Sequence, residues 1–205
     1  MMELLNVDSK NKEKLRHLIE STKAFEYHEV PITLAYGKPS HYYFDFRRLT
    51  GDPEGINMTA NILFDLIEKI GNVQSVGGME SGAIPISTAI SHLSLTRSPN
   101  NPIRSFYVRK ERKKHGLKNI VEGCIKSPCV VVDDVITTGE SAIKAIKTIR
   151  DEGQQVAYLI AIVFRGTDED RKRIETENRI KFYYIFKGSE FTDKYEKEHP
   201  EILKH

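Results

Sequence analysis

The sequence predicts an α/β protein built on a doubly wound, mostly parallel sheet, with a small hood at its amino-terminal end. Short apolar runs that suit strands alternate with stretches of helical periodicity through most of the chain. The clearest unit begins at Val130, where three successive valines suit a strand buried on both faces, and isoleucines at helical spacing follow. A length of 205 residues fits one domain. We therefore expect a single domain, with a helix and an aromatic hairpin in residues 1–50 and the core in residues 51–205.

The composition limits the classes of function. A formal net charge of +2 is too small to indicate a nucleic-acid-binding protein. No apolar run reaches the ~20 residues of a membrane span, and the first residues lack the basic region and long apolar core of a secretory signal. Cys124 and Cys129 lack metal-ligand spacing and are expected to be reduced packing residues. These features predict a cytoplasmic protein with no membrane or nucleic-acid partner.

The first fifty residues predict a helix followed by a hairpin. Residues 10–25 place apolar side chains on one face of an amphipathic helix. Two extended stretches then flank a Gly-Lys-Pro-Ser turn at residues 37–40, which is typical of a hairpin. Tyr42, Tyr43 and Phe44 follow in a row, and taken alone they favour a hydrophobic patch that closes one end of the domain.

The next segment predicts a helix, a strand, a loop and a second helix. Asp52 caps the first helix and Gly71 ends it. A strand over residues 73–76 leads into a glycine-rich loop at residues 77–83, and a helix follows over residues 84–95. Such a loop is either a tight turn or an anion site, because the positive end of a helix attracts anions.

A strand that begins at Phe106 runs into a strongly basic segment. Six lysine or arginine residues lie between Arg109 and Lys118, together with His115. The segment is too polar for a core and has no periodicity, so it predicts a mobile loop. By charge alone it would be a solvated run or a patch for nucleic-acid phosphates.

The residues from Val130 to Ser141 carry the strongest chemical signal. Asp133 and Asp134 follow the apolar run, and the group Thr137–Ser141 comes before the next helix. Ligands of such units bind beyond the carboxyl end of the strand, where free N–H groups attract anions. Gly139 permits close backbone approach and the hydroxyls add donors, so the segment predicts a pocket for a phosphorylated sugar. Paired aspartates alone would equally suit helix caps or solvated turns.

The last third of the chain predicts a buried strand at residues 156–164, a charged helix at residues 168–179 and a final strand at residues 180–186. Arg165 follows the first of these strands at its carboxyl end. Taken alone, it is a capping or salt-bridged surface arginine. The tail rich in lysine and glutamate predicts nothing specific.

Three of these segments resemble one enzyme family. The segment 130–141 resembles the phosphoribosyl pyrophosphate (PRPP) motif of type I phosphoribosyltransferases. The spacing Arg-Lys-x-x-Lys-x-His-Gly from Arg109 resembles the catalytic loop of the orotate phosphoribosyltransferases, and Tyr43 and Phe44 match their aromatic hood. The resemblance covers nearly the whole chain. It implies a pentosyltransferase that converts orotate and PRPP to orotidine 5-monophosphate and pyrophosphate in pyrimidine (UMP) biosynthesis.

The resemblance also implies roles for individual residues. The loop at residues 77–83 would bind pyrophosphate and contain a non-proline cis peptide near Glu80 and Ser81. The implied catalytic residues are Lys113, His115, Asp133 and Asp134. The implied PRPP-binding residues are Arg109, Lys110, Lys113, His115, Glu80, Ser81, Gly82, Asp133, Asp134, Val135, Ile136, Thr137, Thr138, Gly139, Glu140 and Ser141. The implied orotate-binding residues are Thr137, Arg165, Tyr43, Phe44 and Lys38.

The same resemblance implies magnesium, held mainly by the substrate near the two aspartates, and a homodimer whose basic loops complete each other's sites. The chain departs from the family pattern at Ala35, at Gly82 and at Phe164. These departures leave a phosphoribosyltransferase for another base as an alternative. The basic segment leaves a second alternative, a non-catalytic RNA-binding regulator on the same fold.

Overall fold

The computed structural model describes residues 7–33, 39–111 and 119–198. The chain begins with helix α1 (Ser9–Ser21), whose cap Asp8 accepts a hydrogen bond from the Asn11 N–H at 3.0 Å. Strands β1 (Phe25–Thr33) and β2 (Pro39–Phe44) then form the predicted antiparallel hairpin, which is separate from the main sheet. Pro31 falls within an irregularity of the register, as expected for a residue without an N–H donor.

Two helices connect the hairpin to the sheet. Helix α2 (Phe46–Gly51) is absent from the sequence-based prediction, and Asp45 caps it. Helix α3 (Pro53–Ile70) begins as predicted after Asp52, whose carboxylate accepts from the Gly55 N–H at 2.8 Å. Gly71 ends α3 with a φ of 72°, a value that favours glycine.

The main sheet confirms the predicted fold class. Its strands and helices are β3 (Ser75–Gly77), α4 (Ala83–Arg97), β4 (Arg104–Val108), β5 (Val121–Gly123), β6 (Cys129–Ile136), α5 (Glu140–Asp151), β7 (Val156–Phe164), α6 (Asp168–Asn178), β8 (Lys181–Lys187) and α7 (Ser189–Glu198). The six strands lie in the order β5-β4-β3-β6-β7-β8, and only the β4–β5 pair is antiparallel. The chain leaves β3 toward β4 and later continues from β6 toward β7. The switch point therefore lies between β3 and β6, where a crevice for ligands is expected.

The core lies on both faces of this sheet. Val130 and Val132 belong to one buried cluster and Val131 to the other, as the alternation of side chains along a strand requires. The hood is part of the first cluster, because Phe25 and Phe46 pack with sheet residues such as Ile160. The hood therefore shares a core with the sheet instead of forming an independent unit.

Several expectations need correction. Strand β6 continues for two residues beyond Asp134. The two aspartates therefore lie within the last four residues of the strand and not after its end. Strand β5 and helix α7 were not predicted. Cys129 is buried as expected, but Cys124 is exposed and is not a packing residue. Within the described ranges, no helix combines the length and apolarity needed to cross a bilayer.

Candidate active site

The two aspartates of β6 converge on the loop that follows β3. A Cβ atom added at Gly82 would lie 2.8 Å from Asp134 Oδ1 and 2.9 Å from Asp133 Oδ1. Both carboxylates therefore occupy the space that a side chain at position 82 would need. The Asp134 N–H donates to Asp133 Oδ1 at 3.0 Å, and the Val135 N–H donates to Asp134 Oδ1 at 2.7 Å. These bonds fix both side chains at the switch point.

Burial makes this pair electrostatically unusual. It raises the pKa of Asp133 well above its ordinary value, and the adjacent charge of Asp134 raises it further. Burial is also the main cause that raises the pKa of Asp134. The unliganded pair therefore retains a proton more readily than free carboxyls do. Hydroxyl donors or a cation at this position would stabilise the ionised form and reverse the shift.

The residues predicted to bind phosphate, Thr137–Ser141, follow β6 directly and are called the cup below. Gly139 has a φ of 81° at the start of α5, and a Cβ there would lie 2.7 Å from Ile174 Cδ1 of α6. Both the backbone conformation and the packing against α6 thus require glycine. No side-chain hydrogen bond caps α5 among the described contacts, which leaves its first N–H groups suited to binding an anion. Arg173, which sequence reasoning missed, supports the cup by donating to the Thr138 carbonyl at 2.7 Å.

The loop after β3 forms a second wall of the site. The Glu80–Ser81 peptide is cis, which confirms the prediction made for this loop. The Glu80 N–H donates to the Val108 carbonyl at 2.9 Å, and Glu80 Oε1 accepts from the Lys110 N–H at 2.8 Å. The loop is therefore joined, through both the backbone and the side chain of Glu80, to residues 108–110, which are called the stem of the basic segment below.

One cavity of about 330 Å³ gathers these elements at the switch point. It brings together residues of the hood, both strand-to-helix loops and the stem of the basic segment. The lining residues are Phe44, Asp45, Phe46, Arg47, Met79, Glu80, Ser81, Gly82, Lys110, Asp133, Asp134, Val135 and Ser141. Most of the predicted PRPP-binding residues that the structure describes thus lie in or beside a single cavity.

Asp45 and Arg47 belong to this cavity but were not predicted as site residues. Arg47 Nε lies 2.7 Å from Asp45 Oδ1, and its Nη2 lies 3.0 Å from Asp45 Oδ2. This hydrogen-bonded pair lowers the pKa of Asp45 and presents the guanidinium at the cavity mouth. The pattern Asp-Phe-Arg directly after the aromatic run is the one sequence signal that could have found the pair.

Arg165 lies where the hood meets the carboxyl end of β7. Its guanidinium carbon lies 4.7 Å from the centre of the Phe44 ring. The backbone N–H of Arg165 donates to the Ile136 carbonyl at 2.8 Å. Burial of the guanidinium lowers its pKa, although an arginine remains charged at neutral pH. Arg165 does not line the switch-point cavity but a second one of about 320 Å³, together with Tyr42 and Lys187. Tyr43 is half-buried in β2, beside Arg47.

Part of the predicted site lies outside the described residues. Lys38, Lys113 and His115 fall there, as does Ala35. The base of the basic segment is described: β4 and β5 form an antiparallel pair, and the Arg109 N–H donates to the Ile120 carbonyl at 2.9 Å. The segment therefore leaves and re-enters the sheet beside the cavity wall that contains Glu80.

The donor set suits a magnesium ion carried by a substrate. Within residues 7–33, 39–111 and 119–198, no group of three or more His, Cys, Asp or Glu side chains could hold a metal ion. Asp133 and Asp134 nevertheless provide two adjacent carboxylates in the cavity. Magnesium is commonly bound by one or two carboxylates together with substrate phosphates and water, and these residues fit that pattern.

An aspartate pair that precedes a glycine-containing cup, beneath a separate amino-terminal hairpin, is the arrangement of type I phosphoribosyltransferases. No family model matches the chain. The orotate phosphoribosyltransferase of Aquifex aeolicus (strain VF5) is 40% identical over 181 residues, which make up 87% of this chain and 96% of that protein. The chain belongs to the orotate phosphoribosyltransferase family.

Solved structures agree with this assignment. The Mycobacterium tuberculosis H37Rv orotate phosphoribosyltransferase in complex with Fe(III) dicitrate matches with a TM-score of 0.71 and 29% identity, over 87% of this chain and 97% of that one. A structure of the same enzyme in complex with PRPP matches with a TM-score of 0.68 and 28% identity, over 86% of this chain and 96% of that one.

Proposed function

We propose that this protein is an orotate phosphoribosyltransferase that transfers the 5-phosphoribosyl group from PRPP to orotate. The products are orotidine 5-monophosphate and pyrophosphate, and the reaction belongs to pyrimidine biosynthesis. The observation that carries the proposal is the meeting of Asp133 and Asp134 with the Glu80–Gly82 loop and Lys110 around one cavity. Membership of the family supports the choice of substrates.

The proposed division of labour follows from charge. The bond between C1 of the ribose and pyrophosphate breaks as a ring nitrogen of orotate bonds to C1, so positive charge develops on the ribose and negative charge on the leaving group. Asp133 and Asp134 accept hydrogen bonds from the ribose hydroxyls and stabilise the cationic ring. Hydrogen bonding to the hydroxyls and the charge on the ring both favour the ionised pair, which offsets the cost of its burial.

The phosphates occupy the two helix starts. Thr137–Ser141, with the preceding Val135 and Ile136, bind the 5-phosphate at α5, and Ser81 and Gly82 bind pyrophosphate at α4. Arg109 and Lys110 neutralise the leaving pyrophosphate, together with Lys113 and His115. Asp133 and Asp134 are the carboxylates beside which a magnesium ion carried by PRPP would be held, and such an ion would supply further positive charge to the phosphates. Removal of one well-placed donor to developing charge costs about 3 to 4 kcal/mol in such sites.

Orotate would lie beside the contact between Arg165 and Phe44 of the hood. The planar fork of Arg165 suits the orotate carboxylate, and the Phe44 ring holds the guanidinium in place for it. Tyr43, Thr137 and Lys38 would complete this subsite. Arg165 therefore selects a base that carries a carboxylate.

The direct test is an assay of purified protein with PRPP and magnesium against orotate, uracil, adenine and hypoxanthine in parallel. Turnover of orotate alone is the expected result. Preferential turnover of another base would replace this proposal with a phosphoribosyltransferase of different specificity. Salt-sensitive RNA binding without any turnover would replace it with a non-catalytic regulator.

The proposal includes a cytoplasmic homodimer in which the basic loop of one subunit completes the site of the other. Lys113→Ala subunits and subunits carrying both Asp133→Asn and Asp134→Asn would be mixed, since each alone is expected to be inactive. Mixed dimers with one intact site should regain up to about half of the activity per heterodimer, by the statistics of one site in two. Complete absence of rescue in confirmed heterodimers would contradict shared sites.

A further inference from the structure

The backbone of Lys110 is held on both sides, by Glu80 of the cavity lining and by Lys144 of α5. Its N–H donates to Glu80 Oε1 at 2.8 Å, and its carbonyl accepts from Lys144 Nζ at 3.0 Å. Glu80 belongs to the loop after β3, and Lys144 lies in the second turn of α5. We propose that Lys144 is a positioning residue which, with Glu80, fixes Lys110 over the cavity for the pyrophosphate of PRPP. This inference rests on the proposed function, because it assigns a ligand to Lys110.

The position of Lys110 in the chain explains why such support is needed. Strand β4 ends at Val108, whose N–H donates to the Gly78 carbonyl at 2.8 Å. The next residue, Arg109, pairs with Ile120 across the base of the basic segment at 2.9 Å. Beyond this point the chain leaves the sheet. Among the described residues, the bonds from Glu80 and Lys144 continue to constrain the backbone at Lys110.

The chemistry of Glu80 supports positioning instead of direct contact with substrate. An ionised carboxylate is an acceptor only, and it would repel a pyrophosphate placed beside it. Its engagement with the Lys110 N–H directs one oxygen toward the protein backbone. Glu80, although negative, thereby contributes to the anion site by positioning the cationic Lys110.

Lys144 makes the corresponding contact from the helix that begins at the phosphate cup. Helix α5 is fixed at its first residue by the cup and along its length by packing of Ile146 and Ile149. The contact of Lys144 with Lys110 therefore fixes the stem of the basic segment relative to the cup. Lys144 itself is exposed, so loss of its bond should change stability little.

The first test separates binding of PRPP from the later steps. Lys144→Ala should raise the KM for PRPP roughly fivefold to tenfold, the size of one typical hydrogen bond, with less than about a twofold change in kcat. The KM for orotate should stay the same. Lys144→Arg keeps a long cationic donor and should restore most of the affinity. Lys147→Ala, an exposed lysine three residues further along α5, is the matched control and should behave as the parent protein.

A double-mutant cycle tests the route of the effect. If Lys144 acts by placing Lys110, the double variant Lys110→Ala with Lys144→Ala should bind PRPP no more weakly than Lys110→Ala alone. Multiplicative losses would overturn the proposal, because they would show that Lys144 attracts PRPP independently of Lys110. Glu80→Gln, which keeps an acceptor oxygen, should bind PRPP more tightly than Glu80→Ala.

Calorimetric titration of PRPP without any base keeps this test distinct from that of the proposed function. If the parent protein binds PRPP but turns over no orotate, the proposed function fails while the Lys144 variants still report on positioning. If Lys144→Ala binds PRPP as tightly as the parent protein, the positioning proposal fails even though orotate is turned over.

Discussion

The guanidinium of Arg165 lies 4.7 Å from the centre of the Phe44 ring, which joins the carboxyl end of β7 to the hood. Phe44 is supported from behind by Phe25, at 4.9 Å between ring centres, and by Phe191 of α7, at 6.1 Å. The ring and the cation are therefore held together before any base binds. This pre-organisation is what a site for a flat, anionic pyrimidine needs.

Replacement of Arg165 should weaken binding of orotate specifically. Arg165→Lys keeps the charge but loses the planar fork, so the KM for orotate should rise roughly tenfold while the KM for PRPP changes little. Phe44→Leu should also raise the KM for orotate, because the ring that holds the guanidinium in place is lost. Steady-state kinetics with each substrate varied in turn provides the measurement. Equal rises in both KM values would show that Arg165 does not select the base.

The buried aspartate pair predicts an unusual dependence of stability on pH. Because folding raises the pKa of Asp133 above the ordinary 3.8, its ionisation destabilises the folded state as pH rises from about 4 through the raised pKa. Asp133→Asn removes that cost. Its Tm should exceed that of the parent protein at pH 8, by about 2–4 °C for each 1 kcal/mol of that cost in a domain of this size. The difference in Tm between the two proteins should shrink toward pH 4. The Asp133→Asn variant should also have lost its activity.

Asp168 provides a control of the opposite sign. It is exposed, and a hydrogen bond from Lys187 at 2.8 Å lowers its pKa. Its contribution to stability is therefore present above the ordinary carboxyl pKa and is lost as pH falls through the lowered value. Asp168→Asn should not raise the Tm at pH 8. An unchanged or lower Tm for Asp133→Asn at pH 8 would contradict the electrostatic cost assigned to the pair.

Gly82 should be intolerant of even a methyl group. Its φ of −62° is ordinary, so the backbone accepts alanine, but the added Cβ would displace the carboxylates of Asp133 and Asp134. Gly82→Ala should therefore reduce kcat/KM for PRPP by at least about tenfold with little loss of stability. Gly51→Ala is the control, since a Cβ there has no atom within 4 Å. Similar kinetics for the two variants would show that the carboxylates can move without consequence.

Gly139 should be required for both backbone conformation and packing. Gly139→Ala places a Cβ at a φ of 81° and 2.7 Å from Ile174, whereas Gly153→Ala has a φ of 76° but open space. Gly153→Ala should lose about 1 kcal/mol in the free energy of unfolding, the cost of a left-handed conformation. Gly139→Ala should lose more and should also bind PRPP weakly. Denaturant titrations of both provide the comparison, and equal losses would assign no role to the contact with α6.

The sequence predicted best where burial is continuous. Strand β7 was predicted over the residues that form it, because its apolar run is bounded by a turn and by Arg165. Helix α2 was missed because six residues provide too little periodicity, and β5 because none of its three residues is buried, unlike those of the equally short β3. Helix α7 buries Phe191 against the hood, a tertiary contact that its Lys- and Glu-rich composition conceals.

The site was predicted where its residues form a continuous motif. Asp133, Asp134 and the cup are adjacent in the chain, so their chemistry is visible in the sequence. The pairing of Asp45 with Arg47 is local, but its position at the cavity and the contact of Lys144 with Lys110 depend on how separate elements are brought together. No spacing in the sequence predicts the contact of Lys144 with Lys110, which forms only after the sheet aligns β4 beside α5.

The central claim is most directly tested by the release of pyrophosphate from PRPP, in the presence of magnesium, with and without orotate. The parent protein should release pyrophosphate only with orotate and in equal amount to the orotate consumed. The variant with Asp133→Asn and Asp134→Asn should be slower by about 100-fold or more, the cost of removing stabilisation from a developing charge. Release that is independent of orotate, or unaffected by the double substitution, would contradict the assignment.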